Sequence, residues 1–292
     1  MTWSLYRWTW QLEASLYIGM PPAGSINRCR LYVPARALWG ALTEALARSQ
    51  SANFPDYKAV GEKLRKATRL GYLFPAEQGE GRWQAWLPLY EEGRGLVWRR
   101  EDHQKLEDRA FRVRLLSTRP GTAIDPQSGT ADEGTLREFE LVSPYWRDGS
   151  GELGTSVALV GYVFVQSRAG AAGGEIKLAG STVPEVLFVG GDTRYGLGKI
   201  RRLECPAALD FFGCGVELSG ADPLVDSTRL LAHAPVNETA GKDIRGQQEI
   251  LAGWDYGRLQ SDSRVFWQPG SGACEPLHWV IREDGYWHGS TP

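Results

Sequence analysis

The sequence predicts an α+β fold in which strands dominate. Three observations lead there. Residues 6–18 alternate strictly, with Tyr6, Trp8, Trp10, Leu12, Ala14, Leu16 and Ile18 on one side and Arg7, Thr9, Gln11, Glu13, Ser15 and Tyr17 on the other. A period of two is that of a long strand with one buried face. Residues 34–48 instead place Leu38, Ala41, Leu42, Ala45 and Leu46 at helical spacing. The third observation is 35 glycines in 292 residues, about 12% against the usual 7% or so, which implies many turns and close backbone approaches.

The elements follow in order. Gly19 and Pro21-Pro22 end the first strand, and a turn-rich stretch runs from Ala23 to Arg30. Pro34 carries a dihedral suited to a first helical turn. Gly40, costly within that helix, fits close packing on a sheet. Residues 53–75 read as a second, mixed-charge helix. Residues 94–114 hold seven basic side chains (Arg94, Arg99, Arg100, Lys105, Arg109, Arg112, Arg114) against four acids, a solvated face or an RNA-facing one. From Arg112 to Val142 the pattern is strand, long turn, strand, the turn spanning Thr122 to Ala131. Val157–Val165 is apolar throughout, as a buried strand is, and Val186–Val189 repeats the pattern. A flexible loop is expected at Gly170–Gly174. Beyond residue 205 short aromatic segments alternate with turns, and Asp284-Gly285 before Tyr286-Trp287 predicts a terminal hairpin.

Composition narrows the class. Hydrophobic residues make up 42% and charged residues 23%, enough apolar surface for a packed core. No apolar run approaches the roughly 18 residues of a membrane helix, and residues 1–7 lack the pattern of a signal peptide. Cys29, Cys205, Cys214 and Cys274 have no CxxC spacing, so no zinc ribbon or redox pair is written, and a reduced, cytoplasmic protein without membrane contact is expected. The net charge of −2 argues against a protein coated in positive charge, but a local basic surface is compatible with it.

Residues 190–202 carry the most chemistry. Arg194, Lys199, Arg201 and Arg202 stand against one acid, Asp192, with Tyr195 as a stacking face and Gly196 and Gly198 to free the backbone. Amides, cations and an aromatic ring together suit a phosphodiester backbone. Two nucleotide-binding motifs fail here. Gly198-Lys199 is followed by Ile200, where a P-loop needs Ser or Thr, and Gly196-Leu197-Gly198 is followed by Arg201 where a dinucleotide fingerprint needs Gly. A plain glycine-rich hairpin with solvated arginines is the competing reading.

Three segments in order resemble the RAMP (repeat-associated mysterious protein) superfamily of CRISPR effector subunits. Tyr32-Val33-Pro34-Ala35-Arg36-Ala37-Leu38-Trp39-Gly40-Ala41-Leu42 resembles that family's "Y-I-P-G-S-S-L-K-G-A-L" helix start. Ile124-Asp125-Pro126-Gln127-Ser128-Gly129-Thr130-Ala131-Asp132-Glu133-Gly134-Thr135-Leu136 is similar to its "I-D-R-x-T-G-T-A-x-x-G-x-L" hairpin. Gly190 to Gly198 is similar to its glycine-rich loop. The resemblance covers residues 1–202. It implies a ferredoxin-like, RRM-like βαββαβ domain over 1–204 with a long hairpin thumb, followed by a β-rich extension or degenerate second copy over 205–292. It also implies a type III CRISPR ribonucleoprotein subunit of backbone or handle-capping type, with crRNA, complementary target RNA and other effector subunits as partners and no cofactor. The thumb would displace a base between adjacent subunits. By position, the implied RNA contacts are Arg28, Arg30, Arg36 and Trp39; Thr122, Ile124, Asp125 and Thr130; and Arg194, Tyr195, Gly196, Gly198, Lys199, Arg201 and Arg202. Ala35 and Ala37 depart from the family's small polar residues and glycine.

Target-cleaving relatives carry an aspartate between the first strand and the helix start, and Gly19–Leu31 contains no Asp or Glu. Guide-processing relatives use a histidine near the first helix. The four histidines here, His103, His233, His278 and His288, lie elsewhere and are expected at surfaces or caps. With no metal site either, a noncatalytic subunit, terminal rather than repeated, is expected. The alternatives are an endoribonuclease using Asp125 or Asp132, and an unrelated β-rich interaction module. Trp83, Trp86 and Trp98 are expected in the core or at an interface rather than stacked on bases, and some of Trp254, Trp267, Trp279 and Trp287 at subunit interfaces.

Overall fold

The computed structural model describes residues 2–166, 176–239, 241–255 and 258–290, with the side chains of 252–263 outside that description. The Gly170–Gly174 segment and the Trp254 side chain therefore lie outside the described residues. The main sheet has nine strands. Along it run Val186–Phe188, Lys199–Glu204, Trp3–Leu12, Ala158–Gln166, Phe74–Gln78, Trp83–Glu91, Gly95–Arg100 and Lys105–Glu107, and Thr68–Leu70 also pairs with Ala158–Gln166. Its centre is antiparallel, with Trp3 opposite Gln166 through to Gln11 opposite Ala158. Taken in chain order, the four central positions are the fourth, first, third and second to form. Helices α1 (Ala35–Gln50) and α2 (Tyr57–Ala67) link the first to the second. Between the third and fourth, the described residues hold a two-strand hairpin, Lys177–Leu178 with Ser181–Thr182, where βαββαβ order calls for a helix. The fold is thus α+β and mostly antiparallel, as expected, and that second helix is not among the described residues.

Helix α1 forms where the apolar spacing placed it and buries Leu38, Ala41, Leu42 and Leu46. The first strand differs from expectation in two ways. Both its faces are buried, with Trp8, Trp10 and Leu12 on one and Trp3, Leu5 and Thr9 on the other. It also ends at Leu12, because Glu13 and Ala14 both turn their N–H groups to the Lys199 carbonyl and the chain peels away. The second helix is shorter than 53–75. Asp56 caps it through the Ala59 N–H at 2.9 Å. After Ala67 the chain turns to strand, Thr68–Leu70 pairing with Val163–Val165 and Phe74–Ala76 with Ala158–Val160.

The stretch 108–115 is a helix, α3 (Asp108–Leu115), and not the start of a strand. An Asp108–Arg112 pair at i,i+4 and the buried face of Phe111 and Leu115 decide for the helix. Trp98 stacks on Phe111 at 4.3 Å between ring centroids, and Trp86 and Trp146 close in from the sides. Trp86 and Trp98 are therefore core residues, and Trp83 is half-buried.

Residues 205–290 form a five-stranded sheet (Gly215–Glu217, Leu224–Arg229, Gly272–Ile281, Ile244–Arg245, Trp287–Gly289) and a three-stranded one (Ala234–Pro235, Gln248–Asp255, Arg258–Trp267). The terminal hairpin forms, with Ile281 opposite Trp287. These strands share one hydrophobic core with the main sheet: Tyr162 meets Phe211 at 4.8 Å and Phe212 at 4.7 Å, and Phe211 meets Trp287 at 5.7 Å. Trp279 and Trp287 fill that core rather than an interface with a neighbour, and half-buried Trp267 donates its indole N–H to Thr239 at 2.9 Å.

Candidate nucleic-acid interface

The thumb hairpin is built as the turn chemistry dictates. Strands Leu116–Gly121 and Arg137–Val142 pair in register, Leu116 opposite Val142 and Gly121 opposite Arg137. At its tip the Asp125 carboxylate accepts hydrogen bonds from the Gln127 and Ser128 N–H groups and the Ser128 hydroxyl. These bonds, the Ser128 hydroxyl first, hold the Asp125 carboxyl below its ordinary range. The Asp125 N–H donates to the Thr130 carbonyl at 2.9 Å, and Thr122 and Thr135 hydroxyls meet at 2.8 Å below the tip. Ile124 and Leu136 are apolar side chains 59% and 64% exposed.

The glycine-rich loop uses its glycines inward. A Cβ on Gly198 would run into the Val189 carbonyl and one on Gly190 into the Tyr17 carbonyl, and both have positive φ. The Gly198 N–H donates to Ser15 and the Gly191 N–H to Tyr17, each at 2.8 Å. Gly196, also with positive φ, faces open space beside exposed Arg194 and Tyr195, and the Arg194 guanidinium lies 5.1 Å from the Tyr195 ring centre. So Gly190 and Gly198 permit close approach to the chain itself, and Gly196 alone faces outward.

Residues 13–30 join the two. Leu16 bridges Val142, Ile26 and Asn27 pair in parallel with Glu138 and Phe139, and the Cys29 N–H donates to Glu140 at 3.1 Å. Tyr17 presents its ring edge-on to Phe139 of the thumb at 5.5 Å while its carbonyl holds the glycine loop. Thumb, linker and glycine loop thereby meet on one side of the molecule, although Asp125 and Arg194 are far apart in sequence.

Charges on this side divide into engaged and open. Lys199 and Arg201 both pair with Glu13, and Arg201 also with Glu185. Arg30 is clamped by Glu249 through two bonds of 2.7 and 2.6 Å. Trp39 packs α1 onto α2, donating to the Gly61 carbonyl at 3.2 Å beneath the Arg65 guanidinium. Arg36 sits beside the Tyr286 hydroxyl, to which it hydrogen-bonds. By contrast Arg28 and Arg202 have no ion pair among the described residues, and neither do Arg119 and Arg137, two exposed arginines on the thumb stem. Sequence reasoning missed Arg119 and Arg137, although both flank the hairpin motif it had found. A cleft of about 360 Å³ opens beside the linker, with Arg28, Met20, Trp98, Asp108 and Arg112 on its walls.

The basic stretch 94–114 is largely neutralised within the chain. Arg100 pairs with Glu77 and Asp102, Arg112 with Asp108, Arg114 with Glu77, and Lys105 with Glu91. Two of the histidines expected at surfaces or caps are buried. Tyr72 hydroxyl meets His233 Nδ1 at 2.7 Å, and Glu249 meets His233 Nε2 at 2.6 Å. Burial pushes the His233 pKa down, against the opposing pull of Glu249, so the neutral ring donates its Nε2–H to Glu249 and accepts a hydrogen bond from the Tyr72 hydroxyl at Nδ1. His288 lies between Glu238 at 2.8 Å and Asp284 at 3.0 Å. No three His, Cys, Asp or Glu side chains converge as a metal site among the described residues, and no helix among them is long and apolar enough to cross a membrane.

No known protein-family profile matches the sequence, and no curated protein does. Solved structures do. A chain in a cryo-EM structure of the type III-B Cmr-beta complex bound to cognate target RNA and AMPPnP aligns with a TM-score of 0.54 at 11% identity, covering 92% of this chain and 85% of that one. Two further Cmr-beta chains, one from a complex with cognate target RNA and one from the apo state, align at TM-scores of 0.41 and 0.38, at 11% and 12% identity. Each alignment covers 68% of this chain and 96% of the other. The first likeness spans nearly the whole chain and establishes a shared fold.

Proposed function

We propose that this chain is a noncatalytic crRNA-binding subunit of a type III CRISPR ribonucleoprotein, of RAMP type and placed at a terminal, capping position. The observation that carries the proposal is the convergence of thumb, linker and glycine loop on one side, with arginines there left unpaired. The fold shared with a chain of an RNA-bound type III-B complex supports it. RNA phosphates are gripped by Arg28, Arg119, Arg137, Arg194 and Arg202, and Tyr195 offers a ring to a base. Arg30, Trp39, Lys199 and Arg201 are left out of the grip because partners within the chain already hold them. Asp125 is committed to its own turn, which argues against its serving as a general base.

The test is co-purification of the complex with guide RNA. Changing Arg119, Arg137, Arg194 and Arg202 together to Ala should lower RNA affinity by about 10²-fold or more at 0.1 M salt and flatten the salt slope by up to four phosphate contacts. Unchanged affinity defeats the proposal. Several copies per complex defeats the capping position alone. Cleavage of complementary RNA that is lost in Asp125→Ala or Asp132→Ala favours the endoribonuclease instead.

A further inference from the structure

The cleft of about 360 Å³ beside the linker is walled from three parts of the chain. The linker gives Met20, Arg28 and Arg30. The strand Gly95–Arg100 gives Leu96 and Trp98, with Arg112 from α3 next to them in the lining. Gln247 and Gln268 come from the C-terminal part, where they flank the strands Gln248–Asp255 and Arg258–Trp267.

That last wall is fixed in place. The Gln268 N–H donates to the Gln247 carbonyl, and the Gly270 carbonyl accepts from the Tyr90 N–H, each at 2.8 Å. A Cβ on Gly270 would touch Pro88 and Leu96, so the C-terminal turn closes directly on the main sheet. The cations are also set in advance. The Asp108 carboxylate accepts from the Trp98 indole N–H at 2.9 Å and from the Arg112 Nε at 2.7 Å. The two terminal nitrogens of Arg112 keep no bond among the described residues. Glu249 holds Arg30 in its fork. Arg28 has no ion pair among the described residues, and the carboxamides of Gln247 and Gln268 form no hydrogen bond among them.

Among the described side chains here, three guanidinium groups stand against the two carboxylates of Asp108 and Glu249. The surplus cation suits a phosphate, which guanidinium groups bind through charge-assisted, often bidentate, bonds. Each carboxamide offers a donor and an acceptor together, the pairing that matches the edge of a nucleobase. Met20 and Leu96 add apolar wall for the ring. The volume falls at the small end of the roughly 300–1,000 Å³ typical of small-ligand sites, a size for one nucleotide.

We propose that this cleft takes one nucleotide, its phosphate on Arg28 and Arg112 and its base against Gln247 and Gln268, so that the C-terminal part of the chain reads base identity. The nucleotide is either a residue of bound RNA or a free nucleoside monophosphate. The first source rests on the RNA-binding function proposed above; the second does not.

The test uses the full chain, stripped of nucleic acid, at 0.1 M salt. Affinity is measured for oligoadenylate, oligocytidylate and oligouridylate of one length, and equilibrium dialysis follows uptake of the matching nucleoside 5′-monophosphates. The best of the three RNAs should bind about tenfold tighter than the weakest. Gln247→Ala combined with Gln268→Ala should narrow that spread to about twofold, with the weakest RNA bound as before and the melting temperature unchanged. Arg28→Ala should instead weaken all three RNAs alike. A base preference seen only with RNA and lost in the double glutamine variant assigns the cleft to an RNA residue. Monophosphate uptake lost in that variant assigns it to a free nucleotide. An equal spread and equal uptake in parent and double variant overturn the proposal. RNA binding without base preference and without monophosphate uptake also overturns it, and leaves the phosphate grip standing. Failure of the parent to bind any RNA defeats the grip, and monophosphate uptake then decides the cleft alone.

Discussion

Arg30 and Arg229 are both arginines buried where the main sheet meets the C-terminal strands, yet their surroundings are opposite. Arg30 faces Glu249 in a two-bond fork, and Glu249 is held from its other side by His233. Burial alone would lower the pKa of Arg30, but the Glu249 fork outweighs it and raises the pKa instead. Arg229 has no ion pair among the described residues, and burial, with a smaller contribution from Arg99, brings its pKa down to about 10. The contrast teaches that burial of a cation is tolerated on two different terms. One is a partner fixed in the chain; the other is a guanidinium nitrogen left unsatisfied at a cost to stability.

The largest expected effect comes from making Arg30 resemble Arg229. Glu249→Gln leaves Arg30 buried without a counter-charge and should cost about 3–5 kcal/mol in chemical denaturation. A cost below about 1 kcal/mol would mean the fork is ornamental, and the contrast with Arg229 would collapse. Next is acid pH. Burial pushes the Glu249 carboxyl up, but bonds from His233 and Arg30 outweigh it and hold the pKa near 2, against 4.5 ordinarily. Its contribution is therefore complete above about pH 4.5 and lost as pH falls towards 2. The parent should lose stability through that window, and Glu249→Gln should lose less.

The smallest effect concerns His288, which sharpens the comparison because its surroundings differ again. Burial lowers its pKa, but Asp284 and Glu238 outweigh burial and raise it above 6.5. Its contribution is present below pH 6.5 and fades as pH rises through the higher folded value. His288→Gln should cost about 1 kcal/mol at pH 6 and less at pH 8.5, a difference that parallel urea melts would resolve. A cost that grows with pH would reverse the assignment.

Much of the central fold was legible in the sequence, and the reason is local. The apolar run of 157–165 became a strand buried on both faces, and the apolar spacing after Pro34 became α1. The turn formers between Thr122 and Ala131 marked the thumb because Asp125 builds its own turn from neighbours. What stayed hidden was carried by distant pairs. Nothing near Arg30 announces Glu249, 219 positions away, and so Arg30 looked open. Lys199 and Arg201 looked open for the same reason, since Glu13 belongs to the other end of the first sheet connection. The tail tryptophans looked like surface anchors because the core they enter is assembled from residues 162, 164 and 211 as well. The strand pair Trp83–Glu91 and Gly95–Arg100 escaped notice because Pro88 and the density of charge mask its alternation.

Tyr17 has a mechanical consequence. Its ring braces the thumb at Phe139, and its carbonyl tethers the glycine loop at Gly191. Hairpin and glycine loop therefore share Tyr17 as a common contact, beside the Leu16–Val142 bridge and the Gly198–Ser15 bond.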